Sequence, residues 1–159
     1  MAMQGKVLAL SVSTRKGVPK SNVPIATLVA EWGMEGDAHA GAWHRQVSLL
    51  AIESFAVMRR EGVTIAPGQF AENITTEGLT LAELPIGTRL AIGDAVVEIT
   101  QIGKECHQHC AIFHRLGDCV MPREGIFARV LTGGTIGVGE RITVLGTIPE
   151  DERVCTDQS

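Results

Sequence analysis

The chain has no long hydrophobic run. Nothing in it approaches the ~18 consecutive apolar residues that a membrane-spanning helix needs. Its first residues, MAMQGKVLALSVST, lack the basic region, the long apolar region and the cleavage site of a secretory signal, so the protein is expected to be cytoplasmic. It also lacks a large excess of charge of either sign. A formal net charge of −4 over 159 residues supplies no field that would draw in nucleic acid or an anionic membrane surface. Any anionic ligand must therefore be held by local arginines and lysines. Internal repeats, linkers and low-complexity tracts are absent. With 45% hydrophobic residues, disorder is excluded as well. The expectation is one domain over 1–146, long enough to bury a core without staples, followed by a polar tail at 147–159.

What is present is glycine, with 18 residues spread along the chain, and many short apolar segments between turn signals. VLALSVS (7–13), VPIATLVAEW (23–32), QVSLLAI (46–52), QFAENITTEG (69–78) and TIGVGERITVLG (135–146) read as strands on their Val, Ile, Leu and Thr content. RKGVPKSN (15–22) reads as an exposed loop. TRLAIGDAVVEITQIG (88–103) divides at Gly93-Asp94 into two apolar runs, which signals a hairpin. Helical spacing of Ile52, Phe55, Ala56 and Arg59 predicts a helix ending at Gly62. A second helix is predicted over 122–134, with Pro122 at its start, Ile126, Phe127, Val130 and Leu131 on one side, and Gly133 as terminator. The fold class is thus mostly β with two or three short helices, plausibly a closed barrel.

The chemistry is concentrated in GKECHQHCAIFHRLGDC (103–119), which holds three of the four cysteines and three of the five histidines. Cysteines of a cytoplasmic protein are mostly reduced, so such a cluster reads as metal-binding or reactive. Cys106 and Cys110 lie ~13 Å apart if the chain is extended, beyond the ~7 Å between Cα atoms that a disulfide tolerates. On a helix they are separated by a rise of only ~6 Å, close enough to share a metal. VVEITQIG ends at Gly103, and both geometries stay open beyond it. A zinc set of Cys106, His109, Cys110 and Cys119 supplies four donors, although the C-x3-C and C-x8-C spacings match no common zinc ribbon or finger. Cys119, flanked by apolar residues, also reads as a buried small side chain. Cys106 stands between Lys104-Glu105 and His107, and basic neighbours favour the thiolate.

Four blocks in order, GDAHAG (36–41), QFAENITTEGL (69–79), LPIGTRLAIGDAVVEITQIGKEC (84–106) and GIFARVLTGGTIGVGERI (125–142), resemble the MOSC domain. This is the module at the C-terminus of molybdenum cofactor sulfurases, found also as small standalone proteins. The resemblance implies a β-barrel similar to the small barrel domain of pyruvate kinase. It also implies that Cys106, directly after the second strand of the Gly-Asp hairpin, is the hallmark cysteine that ligates molybdenum or handles sulfur. The commoner family pattern has proline before that cysteine, where this chain has Glu105. HQHC (107–110) and DCVMPRE (118–124) resemble a subgroup of short standalone members.

The residues fit such a ligand on their own terms. A thiolate suits a sulfur-coordinated metal or a persulfide, and the arginine fork suits the phosphate of a pterin cofactor. Candidates for the cofactor are Arg45, Asn73, Arg123, Arg129 and His39, together with the free N–H groups of a helix starting at Pro122. Each has a structural alternative: an ion pair for Arg129 or Arg123, a turn bond for Asn73, a loop contact for His39. The leading expectation is a molybdenum-cofactor or sulfur-precursor carrier or maturation protein. Lacking a lysine-centred pyridoxal phosphate domain, it would take sulfur from a cysteine desulfurase and serve cofactor-biosynthesis or molybdoenzyme partners. A molybdenum-dependent reductase of N-hydroxylated substrates, needing an external electron donor because no flavin or iron–sulfur motif is visible, is the first alternative. A zinc protein is the second.

Overall fold

The computed structural model describes residues 4–16, 18–58, 66–103 and 125–147, and eleven strands account for about half of them. They are β1 (Gln4–Val12), β2 (Ser21–Val23), β3 (Ile25–Val29), β4 (Gly33–Met34), β5 (Val47–Ala51), β6 (Ile74–Glu77), β7 (Thr88–Ile92), β8 (Ala95–Ile102), β9 (Ile126–Thr132), β10 (Gly134–Gly137) and β11 (Arg141–Thr147). Seven of them close a barrel in the order β11-β7-β8-β9-β5-β6-β1, with β1 returning to β11, and β2 extends from β1. A small sheet, β10-β3-β4, stands beside it. Closure leaves few unpaired strand edges. Barrel strands alternate inward and outward side chains, and Leu90 and Ile92, Val97 and Ile99, and Ile126, Ala128 and Val130 fill the interior with Val7, Leu49 and Ile142.

Most neighbours in the barrel are antiparallel, but β5 and β6 run parallel. A parallel pair needs a crossover rather than a hairpin. The crossover begins with a 3-10 helix at Ile52–Met58, within the segment the periodicity marked as helical. Phe55 from this turn meets Phe70 edge-to-face at 5.2 Å. Both rings are buried, as is every residue of β5.

The Gly93-Asp94 hairpin is where the sequence placed it. Ile92 pairs with Ala95 across a two-residue turn, and Gly93 takes the positive φ of 56° that such a turn requires.

Three expectations are corrected. The segment predicted as a helix over 122–134 contains strand β9 instead, and Arg129 lies on that strand. Ile126, Ala128 and Val130 face the core, while Phe127 on the other face is also buried. Covering both faces erases the period-two pattern and imitates a helical stripe. Pro122 and Arg123 lie outside the described residues.

The strand expected over 69–78 shrinks to Ile74–Glu77. The loop before it winds around the buried carboxylate of Glu72, which accepts hydrogen bonds from Gly68 N at 2.9 Å, Phe70 N at 3.2 Å and Thr75 Oγ1 at 2.7 Å. Burial pushes the Glu72 carboxyl above its ordinary range, against those three donors. Finally, the loop expected to be exposed at 15–22 carries a lysine, Lys20, that is buried. The loop around Glu72 presses directly on it. Gly68 O accepts Lys20 N–H at 2.8 Å, and a Cβ at Gly68 would sit 2.6 Å from Lys20 O, so only glycine permits the approach.

No described helix is long and apolar enough to cross a membrane.

Candidate functional site

One end of the barrel gathers the cationic and aromatic side chains. There β8 runs out at Ile102 and β9 begins at Ile126, the two residues being register partners. Gly103 N–H donates to Gly125 O at 2.6 Å. Gly103 and Gly125, which flank the segment 104–124 with Cys106, His109, Cys110, Cys119 and Arg123, thus meet at one point of the barrel. Those five candidates themselves lie outside the described residues.

The register between β8 and β9 slips at this end. Ile99 faces Ala128 and Gln101 faces Phe127, so Thr100 is the extra residue of a bulge. A bulge re-aims side chains, and here it turns two of them onto the incoming 36–46 loop. Thr100 Oγ1 donates to His44 O. Gln101 Nε2 donates to Gly103 O at 2.7 Å, which leaves Gln101 Oε1 to accept from His44 Nε2–H at 2.7 Å. The strand that delivers Cys106 is thereby tied to the loop that carries Asp37, His39, Trp43 and Arg45.

Arg45 is held by aromatic faces. Its guanidinium carbon lies 4.5 Å from the Trp43 ring centre and 5.7 Å from that of Phe127. Lys16 Nζ also sits 4.5 Å from the Trp43 ring centre. Such contacts are favourable by about 0.5–1 kcal/mol each when exposed, more when dry. They use the face of the guanidinium and none of its five N–H donors. Among the described residues no carboxylate pairs with Arg45 and its buried Nε has no hydrogen-bond partner. A buried donor left unmet is costly.

Behind this surface lies a polar cluster that the sequence did not announce. Lys20 Nζ donates to Asp37 Oδ1 at 2.8 Å and to Ser13 Oγ at 3.1 Å, and stands 3.1 Å from His39 Nδ1. The side chains of Lys20 and Asp37 are fully buried, and that of His39 is 12% exposed. Asp37 also accepts from Ser13 N at 3.0 Å and His39 N at 2.9 Å. Burial alone would raise the Asp37 carboxyl. The hydrogen bonds converging from His39 and Lys20 outweigh it and hold the group well below the ordinary carboxylate range. Trp43 Nε1 donates to His39 O at 2.7 Å, which joins the cluster to the aromatic that carries Arg45.

Of the sequence candidates, the fold therefore brings Arg45 and His39 together and leaves two others apart. Asn73 is wholly buried. Its Oδ1 accepts Ser48 N at 3.0 Å and its Nδ2 donates to Ser11 O at 3.1 Å, so its amide straps β1 to β5. Arg129 lies opposite Glu98 in the ladder, with Nε 3.3 Å from Glu98 Oε1 and Nη1 3.7 Å from Glu31 Oε2. Arg89 Nε reaches the other Glu98 oxygen at 3.3 Å. Sequence reasoning missed Lys16, Lys20 and Trp43. The usable signal was Asp37, an acid inside an apolar Gly-rich block that needs a counter-ion when buried. Among the described residues no group of three or more His, Cys, Asp or Glu could hold a metal ion.

Comparison with known proteins gives a consistent picture. The family model described as MOSC domain matches residues 36–143. No curated protein matches the chain. Among solved structures, the YuaD protein from Bacillus subtilis superposes with a TM-score of 0.75 at 19% identity, covering 94% of this chain and 99% of that one. YiiM from Geobacillus stearothermophilus gives 0.67 at 22% identity, covering 89% and 75%. YiiM from Escherichia coli gives 0.66 at 18% identity, covering 91% and 72%. At these identities the likeness establishes the barrel.

Proposed function

The chain belongs to the MOSC domain family, and from that footing we propose that it binds molybdenum cofactor or a sulfur-bearing precursor, with Cys106 as metal ligand or sulfur carrier. The observation that carries the reading is Arg45. An arginine stacked on Trp43, with no carboxylate partner among the described residues and an orphaned Nε, is a receptor waiting for an anion. A pterin cofactor brings a phosphate that the guanidinium fork matches. It brings also a soft, sulfur-bound metal for which a thiolate is the fitting donor. Lys16 adds charge beside Arg45, and His39 a ring nitrogen on the same loop. Cys106, three residues beyond Gly103, is tethered to this end of the barrel by sequence.

When bound, such a cofactor supplies redox or sulfur-transfer chemistry. The part of the chain is to hold it: Arg45 and Lys16 neutralise its anion, and the bulge at Thr100 ties the end of β8, three residues before Cys106 at Gly103, to the loop that carries Arg45. Supply of sulfur by a desulfurase, and delivery of the loaded cofactor to a molybdoenzyme, complete the carrier reading.

The test is Cys106→Ser in protein purified from cells that make the cofactor. Retained molybdenum, or extra sulfur on the intact mass, is expected to fall to background while the thermal midpoint moves by no more than a few degrees. Full retention in the variant would defeat the assignment of Cys106.

A further inference from the structure

We propose that His44 selects the anion: its bare Nδ1 favours a phosphomonoester or free phosphate, which brings a proton of its own, over sulfate or a phosphodiester, which does not. The receptor itself, Arg45, is taken from the reading above, on which the selection rests. The selection follows from the hydrogen bonds that end β8. Gly103 O is a carbonyl oxygen and can only accept, so the Gln101 amide turns its Nε2 toward it, at 2.7 Å. Gln101 Oε1 then faces His44 Nε2 at 2.7 Å. An amide oxygen has no hydrogen to give. His44 Nε2 therefore carries one, and the lone pair of the neutral ring is left on Nδ1. Among the described residues Nδ1 has no hydrogen-bond partner.

The ring is exposed, yet it is held from three sides. Gln101 takes its Nε2–H, Thr100 Oγ1 donates to its backbone oxygen, and the ring meets Trp43 edge-on with centroids 5.9 Å apart. The same indole carries Arg45 Cζ and Lys16 Nζ, each 4.5 Å from its centre. One ring thus gathers two cations, neither with a carboxylate partner among the described residues, and one lone pair. The cations attract any anion. The lone pair repels an unprotonated oxygen and accepts from an O–H. A phosphomonoester gives up its second proton only at a pKa of ~6, so near neutrality it shares one with Nδ1. Whichever atom holds that proton, the contact is a charge-assisted hydrogen bond. Gln101 suits both outcomes, because Nε2–H donates in the neutral ring and in the imidazolium alike. It is the positioning residue. Sulfate and a diester bring no proton at this pH. Sulfate is doubly negative, so charge alone would not place it behind phosphate.

The chain has two tryptophans, and Trp32→Phe leaves Trp43 as the sole one, whose emission reads anion binding at neutral pH and fixed ionic strength. Inorganic phosphate and methyl phosphate are expected to bind roughly tenfold more tightly than sulfate and dimethyl phosphate. In His44→Leu, a change at an exposed position, the ratio is expected to fall to near one while all four anions still bind. Gln101→Leu should give an intermediate ratio. Equal affinities in the wild type, or a ratio unchanged in His44→Leu, would overturn the selection and leave Arg45 as an anion receptor. Should none of the four anions alter Trp43 emission, both readings fall. Long-range 1H–15N spectra of the ligand-free protein, with His44 assigned by its loss in His44→Leu, check the ring itself. A protonated Nε2 and an unprotonated Nδ1 are expected in the neutral ring, and the reverse pattern would sink the proposal.

Discussion

Replacing Lys20 by methionine is expected to destabilise the fold by about 3–5 kcal/mol at neutral pH, the range typical for removing one partner of a buried ion pair. The size follows from what is left behind. Asp37 remains fully buried with two backbone N–H groups as donors but without its counter-charge. The pH dependence carries the sign of the cause. In the wild type the Asp37 carboxyl is held below its unfolded value of 3.8. Its contribution is therefore present above that pH and is lost as the pH falls toward the folded value. In Lys20→Met the burial that raises this carboxyl is no longer opposed by an ammonium, and the group protonates more readily. The deficit relative to wild type should thus be largest near neutrality and shrink below pH ~4. Glu72 has the opposite sense, because its carboxyl is raised in the fold: its contribution weakens as pH rises from its unfolded value, in both proteins alike. Urea unfolding at several pH values, with Lys20→Met/Asp37→Asn as companion, measures all of this. The double variant should recover much of the loss. A single variant within 1 kcal/mol of wild type at neutral pH would contradict the buried pair.

Arg45→Met is expected to lower affinity for the phosphate-bearing ligand by roughly 10–100-fold, the equivalent of losing ~1.5–3 kcal/mol of hydrogen bonding to a charged group. The folded state should suffer little, because the guanidinium is held by the faces of Trp43 and Phe127 and its Nε meets no acceptor among the described residues. Arg45→Lys separates charge from geometry. It keeps the cation but not the fork, and should fall between the two. Retention of pterin fluorescence after dialysis gives the ranking. Equal retention in all three proteins would remove Arg45 from the site.

These two residues show unequally in the sequence. Arg45 was visible because AWHR follows GDAHAG, and arginine beside a glycine-rich loop is a plain phosphate signal. Lys20 was invisible: in VPKSN it has the surroundings of an exposed lysine, and its burial is caused by Asp37, seventeen positions later, and by a loop that turns at Gly68. The barrel was legible from short strands and from the Gly93-Asp94 turn, both local features. Strand β9 was not, since Phe127 is buried on the face where alternation would put a polar residue, and the resulting pattern has helical spacing. The bulge at Thr100 leaves no mark in the sequence at all. It arises from the pairing of β8 with β9, yet it is what ties the end of β8 to the His39 loop.

On the function proposed above, this MOSC barrel holds a molybdenum-bearing or sulfur-bearing anion at the end where Gly103 meets Gly125. Native mass spectrometry of the wild-type protein, purified without chelator from cells replete in molybdenum and paired with elemental analysis, addresses it most directly. The expected spectrum shows an added mass of a pterin cofactor with molybdenum, or of sulfur on one cysteine, released on denaturation or reduction respectively. Zinc at one per chain with neither pterin nor added sulfur would contradict it.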